Sequence, residues 1–455
     1  MVITHNFSGN RDAAPAAREI CHAALARKAA ASGIVLLKNN GILPLAATAP
    51  IALFGNGAGH TVKGGIGSGD VNNRENISIY EGLKAVGVPL TSESWIEDYE
   101  KRYMTARFQW RDKILEDAKK VENPFDAYAD NPFVLPQGRD IEPEDWRGAA
   151  AAVYVISRIS GEGKDRTAQE GDYRLSEQER EDLRRLDAAE LPVILLINAG
   201  GPVELTDLME QMHHLAAILQ ISQLGQQGGA AVADVLLGKV VPEGKLTATW
   251  ARRYTDYPSA DTFGACNGDL EKEIYTEGIY VGYRYFDSFD IQPLFPFGYG
   301  LSYTEFSVEF EGVEADAHAV RVAVKVSNTG KLYAGREVVQ VYAACPQNGG
   351  AKEYRRLVGF AKTQQLGPGE TQCVTIAVDA KQLAAFSQEK QAWILEQGVY
   401  TLFVGNSSVN CKPCAHLKVE TEKVLERTHP ICPVQHPFEE LKCAAPAMEK
   451  AALAT

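Results

Sequence analysis

The chain has 455 residues, 45% of them hydrophobic and 23% charged, with a formal net charge of −13. This is ordinary globular composition, enough for one large core and one smaller one, and the length suggests about two to four domains. The acidic balance argues against a nucleic-acid surface, which needs clustered Lys and Arg, and no apolar run reaches the roughly 18–20 residues of a membrane span.

Residues 1–20 form a lead-in without the basic and apolar regions of a secretory signal, so a cytoplasmic setting is expected. Eight cysteines over this length fit reduced thiols better than a disulfide scaffold. From about 21 to 260 helical and strand patterns alternate. "AREICHAALARKAAASG" is Ala-rich with helical spacing. "PIALFGNG", "AAAAVYVISR", "LPVILLINAGG" and "HHLAAILQIS" are apolar runs of strand length ending in small or polar residues. Such runs predict a mostly parallel sheet sandwiched by helices, an α/β domain. Ligands of such sheets sit beyond the carboxyl ends of the strands. The loops to inspect are therefore Gly55–Gly69, Ser160–Arg166 and Asn198–Pro202. Residues 92–148 interrupt the rhythm with one long amphipathic helix, then a Pro- and aromatic-rich irregular excursion whose aromatics should pack on something.

Residues 261–304 read as a connecting segment. From 305 to 418 the hydrophobic period becomes two, with "NTG", "GPGE" and "GNSS" as turns. This predicts an all-β sandwich of immunoglobulin or fibronectin III type. Residues 419–455 form a weakly patterned tail. Cys411 and Cys414 make a CxxC followed by His416, His429, Cys432, His436 and Cys443. The spacing matches no standard zinc finger or ribbon, and free thiols in a poorly packed tail are the plainer reading.

Three loops carry candidate chemistry. "GNGAGH" has the spacing GxGxG rather than GxGxxG, and no acidic residue ends a strand about 20 residues on. A tight strand-to-helix turn explains it better than a nucleotide site. "GGIGSGDVN" places four glycines within six residues, at a large cost in backbone entropy. Either it approaches a ligand closely, presenting Ser68 and Asp70, or it packs against another loop. "SRISGEGKDR" sets Glu162 between glycines after a buried run. A carboxylate carried into a cleft there would have its pKa raised enough to act as a general acid. A solvated charged turn fits the same residues. His213–His214 reads as packing or surface, and no GxSxG, HExxH or Walker loop occurs.

Taken together, "ALARKAAASGIVLLKNNGILPLAATAPIALFGNGAGHTVKGGIGSGDVNNRENISIYEGL", "SRISGEGKDRTAQEGDYRLSEQE", "INAGGPVEL", "GKVVPEGKLTATW" and "YTEGIYVGYRYFDSFDIQPLFPFGYGLSYTEF" resemble the β-glucosidases of glycoside hydrolase family 3. The resemblance covers roughly residues 20–418. It implies a retaining hydrolase of β-glucosides or related carbohydrates, without cofactor or metal. Glu162 would be the acid/base and Ser68 a ligand for glycone hydroxyls, while Asp70 and Arg166 would support their loops. In that mechanism a carboxylate nucleophile stands about 5–5.5 Å from the acid.

Here the chain departs from the family pattern. The family nucleophile is an Asp in an S/T-D-W setting on a (β/α)8 barrel, and a barrel needs about 250 residues of repeated units, which this chain does not have. The single Asp-Trp pair, Asp145–Trp146, lies before a strand and reads as a decoy. The barrel's Lys-His dipeptide is missing too. Some members are permuted, with the barrel last, and this chain is similar to the first half of one. The expected partner is a (β/α)8 barrel domain or subunit, docked on an exposed apolar face. The alternative is a non-catalytic carbohydrate-binding or scaffold protein derived from that enzyme.

Overall fold

Segments that are apolar throughout have no solvent face, and each of the four found here lies inside one sheet. The computed structural model describes residues 13–65, 69–159, 166–263, 274–316, 319–348, 352–434 and 436–443. In chain order, the first module contains α1 (Ala17–Gly33), β1 (Val35–Asn39), β2 (Ile51–Phe54), α2 (Ile79–Ala85), α3 (Glu93–Asp117), α4 (Pro124–Ala129), β3 (Ala151–Ser157), α5 (Glu177–Ala188), β4 (Val193–Asn198), α6 (Thr206–Gln211), β5 (Leu215–Gln220) and α7 (Gly228–Leu236). The sheet order is β1-β5-β4-β3-β2. Strands β2 to β5 are parallel, and β1 joins the edge antiparallel to β5. Every residue of β2, β3, β4 and β5 is buried, as a parallel sheet covered on both faces requires.

The helices start where local chemistry starts them. Ser78 and Glu81 form a reciprocal cap on α2, and Ser176 and Glu179 do the same on α5, satisfying amides that the first helical turn leaves without partners. Helices α2 and α7 meet backbone to backbone. A Cβ on Gly82 would come 2.3 Å from the Gly229 carbonyl oxygen, and one on Gly229 would come 1.9 Å from that of Ser78. The aromatic excursion packs on α3. Indole and phenol groups of the helix donate to its carbonyls: Trp95 to Arg139 at 3.0 Å, Tyr99 to Pro136 at 3.1 Å and Trp110 to Asn131 at 2.6 Å.

The connecting segment holds α8 (Tyr283–Ser288). The second module follows with β6 (Phe306–Ala315), β7 (Ala319–Asn328), β8 (Val338–Ala344), β9 (Arg356–Lys362), β10 (Thr371–Asp379), the short helix α9 (Ala380–Leu383), β11 (Ala385–Ser387), β12 (Ala392–Leu395), β13 (Gly398–Gly405), β14 (Cys411–Val419) and β15 (Lys423–Arg427). Sheets β10-β7-β6 and β14-β13-β8-β9 enclose a core in which Val320, Val322, Val324 and Val326 alternate inward along β7. A small third sheet, β11-β12-β15, draws a strand from beyond residue 419. The modules are tied by Lys245, which bonds Glu337 at 2.8 Å and the Gly300 carbonyl at 2.8 Å.

Two sequence expectations change. Cys411 and Cys414 lie on β14 and not in a loose tail; burial pushes both thiols up to about 11. Among the described residues no group of three metal-ligating side chains occurs. "GNGAGH" is a turn, and the first α-helix after it among the described residues, α2, starts only at Ile79. It therefore lacks the helix N-terminus that would bind a phosphate.

Gly229→Ala should lower stability by about 1–3 kcal/mol or more in urea unfolding, because its Cβ overpacks a backbone contact. Gly33→Ala, with nothing within 4 Å of the new Cβ, should be neutral or slightly stabilising. A second expectation concerns pH. Asp182 on α5 is buried against the Tyr154 hydroxyl at 2.9 Å, and burial raises its carboxyl to about 6. The folded state thus holds this proton more tightly than the unfolded chain. Its stabilising contribution is full below about pH 4 and is lost as pH rises through about 6. Asp182→Asn should therefore stabilise the protein by up to about 2 kcal/mol at pH 7.5 and flatten that part of the stability profile.

Candidate active site

The carboxyl ends of β2, β3 and β4 are fastened together by side chains that strand endings place there. Asn198, the last residue of β4, is fully buried. Its Oδ1 accepts from the Val62 amide at 2.7 Å and from the Ser157 hydroxyl at 2.7 Å. Its Nδ2 donates to the Val62 carbonyl at 2.9 Å and the Ser222 carbonyl at 2.6 Å. Asn56 repeats the device, accepting from the Ser157 amide at 2.7 Å and donating to its carbonyl at 3.2 Å. The glycines around Asn56 permit this approach. Gly55 has φ +96° and a Cβ there would lie 2.1 Å from the Val155 oxygen, while one on Gly57 would lie 1.9 Å from Ser157 Oγ.

Beyond β3 the chain is gripped on both sides of residues 160–165. Arg158 is 6% exposed and forms a two-pronged pair with Glu179, 2.7 Å on each arm. Arg166 bonds the Asp172 carboxylate at 2.7 Å and the Pro202 carbonyl at 2.7 Å. Both guanidinium groups also donate to one acceptor, the Asp172 carbonyl, at 2.8 and 2.9 Å. Gly201 makes room: a Cβ there would sit 3.3 Å from Arg166 Nη1. Glu162, with its neighbours Lys164 and Asp165, lies outside the described residues, as does Ser68. Asp70 is described; its carboxylate pairs with Lys63 at 3.2 Å, and the Lys63 ammonium also bonds the Val71 carbonyl.

The flanks of both segments border one cleft of about 880 Å³. Ile159 borders it on one side, and Gly65 and Asp70 on the other. Its far wall comes from α3 and the excursion. The His60 imidazole stacks on Tyr103 at 3.4 Å and meets Glu100 at 2.5 Å, and Phe133 stands edge-on to Tyr103. Burial pulls the His60 pKa below the usual imidazole value, with Glu100 working against it. An aromatic wall beside polar side chains and the Gly64–Gly65 backbone suits a polar ring-shaped ligand.

Sequence reasoning named the loops but not the residues that hold them: Asn56, Asn198, the Arg158–Glu179 pair and the His60–Glu100 pair. Asn198 left a signal, since an Asn closing a fully apolar strand must find partners. Asp145 is not among the residues that border this cleft. Its carboxylate takes both arms of Arg139 at 2.7 Å and the Glu142 amide at 2.9 Å. Burial works to raise its pKa, but Arg139 and that amide overcome it and hold the group below the usual carboxylate value.

The chain matches the model of the glycosyl hydrolase family 3 C-terminal domain over residues 34–283 and that of the fibronectin type III-like domain over residues 337–408. It is 36% identical to beta-glucosidase A of Butyrivibrio fibrisolvens across 85% of this chain and 50% of that protein. It is 34% identical to a beta-glucosidase of Ruminococcus albus across 90% of this chain and 42% of that one. Among solved structures it resembles beta-glucosidase 3B from Thermotoga neapolitana, at 37% identity and TM-score 0.77, over 89% of this chain and 55% of that one. It also resembles a beta-glucosidase from Paenibacillus barengoltzii, at 32% identity and TM-score 0.83, over 94% and 47%. The chain spans about half the length of the curated relatives it matches.

Asn198→Ala removes four hydrogen bonds at once and strands buried backbone groups of Val62. It should cost roughly 2–4 kcal/mol in denaturant unfolding. Asn198→Asp keeps both accepted bonds but turns a carboxylate toward two carbonyls, and should be no milder. Unchanged stability in both variants would contradict the role given to this amide.

Proposed function

The chain belongs to glycosyl hydrolase family 3, and on that premise we propose that it is the acid/base-bearing part of a retaining β-glucosidase-type hydrolase. One observation carries the reading. The bases of the segments containing Ser68 and Glu162 open onto a single cleft at the carboxyl ends of the sheet, and each base is held by ion pairs. In this reading Glu162 protonates the departing glycosidic oxygen while a carboxylate nucleophile attacks the anomeric carbon. Glu162, now ionised, then takes a proton from the water that releases the sugar from the covalent intermediate. Ser68 bonds a glycone hydroxyl. Asp70 through Lys63, and Arg166 through Asp172, keep the two loops in place.

The nucleophile comes from a (β/α)8 barrel outside this chain. Two facts support that part. The chain spans about half of its relatives, and α3 exposes an apolar stripe, Met104, Phe108 and Leu115, of the kind another domain covers. A second reading is sugar binding or scaffolding without catalysis: the sequence's single Asp-Trp pair supplies no nucleophile to the cleft, because the Asp145 carboxylate is taken up by Arg139, the Glu142 amide and the Ser94 hydroxyl.

The deciding experiment joins this chain to the barrel of a family 3 β-glucosidase, in trans or by fusion, and follows an aryl β-glucoside. Cleavage should appear, and Glu162→Gln should lower it by about 10²–10⁴-fold. Azide, which needs no base to attack the intermediate, should restore turnover to that variant and release a glucosyl azide. Full activity in the Gln variant would remove the acid/base assignment. Failure to cleave with a competent barrel would favour the second reading.

A further inference from the structure

A second large concavity lies away from this site, on the second module. It is a cleft of about 1100 Å³ bordered by β11 and β12 and by Ile279 and Arg284 of the connecting segment. Two large aromatic side chains stand exposed in it, Phe386 at 43% and Trp393 at 42%. They face each other across β11 and β12, with ring centroids 5.5 Å apart and planes at 60°. Strand alternation sets this orientation: the neighbours of Trp393, Ala392 and Ile394, are buried on the opposite face. An exposed Trp–Phe pair in a concave site is a poor arrangement in water and a good one against a ligand.

The polar lining narrows the class of ligand. Four basic and five acidic side chains border the cleft, so its charges nearly cancel. Six of the nine are paired internally: Lys352 with Glu396, Arg356 with Glu353, and Lys390 with Glu422 at 2.5 Å. Such a cleft has no strong field for a phosphate, a metal cation or a charged peptide. Its polar rim is held rigidly from behind, since Lys352 and Glu353, each only 4% exposed, anchor Glu396 and Arg356. Arg356 uses Nε on Glu353 and Nη1 on the Ala384 carbonyl, which leaves Nη2 without a partner among the described residues.

Aromatic faces beside neutralised, fixed polar groups complement a ring with an apolar C–H face and a hydroxyl rim. We propose that this cleft binds a neutral oligosaccharide, with Trp393 and Phe386 against the sugar faces and Arg356 Nη2 donating to a hydroxyl. The angle of 60° between the rings gives two inclined walls, which suit a short soluble chain and not a flat crystalline surface. The volume exceeds the roughly 300–1,000 Å³ typical of small-ligand clefts, leaving room for more than one sugar ring. The site needs neither Glu162 nor a barrel, so it goes beyond the hydrolytic reading.

Calorimetric titration of the full chain with cellopentaose tests it. The sugar should bind, and Trp393→Ala should weaken binding about thirtyfold or more, as loss of a central aromatic anchor does. Trp393→Phe keeps a ring and should retain most of the affinity, which separates lost stacking from lost folding. Phe360→Ala, at another exposed aromatic, should change nothing. No binding, or equal affinity in wild type and Trp393→Ala, overturns the proposal. So does loss of self-association in Trp393→Ala, seen by sedimentation, without any sugar binding; the surface would then be a protein interface. Cleavage with a barrel but no cellopentaose binding at Trp393 would sink this proposal alone. Binding at Trp393 without any cleavage would sink only the hydrolytic reading.

Discussion

One buried amide organises the functional end of the first module. A parallel sheet ends in strand termini whose loops diverge, and nothing in the ladder hydrogen bonds aligns those loops. Asn198 does so by bonding the segment after β2, the end of β3 and the chain after β5 together. A side chain with two donors and two accepting lone pairs can satisfy all four groups. A carboxylate or a hydroxyl could not. The glycines at 55 and 57 matter for the same reason: they let the β2 loop lie against β3 closely enough for Asn56 and Asn198 to reach.

The arginines extend this order into the loop that follows β3. Buried ion pairs are weak evidence of net stability, because desolvation offsets much of their attraction. Their value here is positional. Glu179 caps α5 and holds Arg158 at once, so the start of a helix is coupled to the base of the loop. Arg166 closes the other side through Asp172 and the carbonyl of Pro202. The loop base is therefore determined by elements on three sides, whatever the residues between do.

What could be read from the chain, and what could not, follows from range. Strands β2 to β5 were legible because continuous burial leaves continuous apolar sequence. The long helix α3 was legible by its period, and the sandwich strands β6 and β7 by alternation. Strand β14 was not: it is an edge, it contains Pro413, and most of its side chains meet solvent. The Ser176–Glu179 cap is a local signal, but the second task of Glu179 depends on Arg158, 21 positions away. Asn198 reaches Val62 across 136 positions. Pairings of that kind leave no periodic trace. Glu162 and Ser68 stood out through family resemblance more than through their own residue types, which fit a solvated turn as well.

A general acid depends on its surroundings for its strength. In water a glutamic acid is ionised at neutral pH and has no proton to give. Two things raise its pKa, removal from solvent and a facing carboxylate. On the reading proposed here, a docked barrel would supply both, covering the cleft and placing its nucleophile opposite Glu162. The first module would then contribute position, through Asn198 and the two arginines, and the partner would contribute tuning. Such a division keeps the acid harmless until the site is complete. It also accounts for how much of the described structure on this side holds loop bases, through Asn198, Arg158 and Arg166.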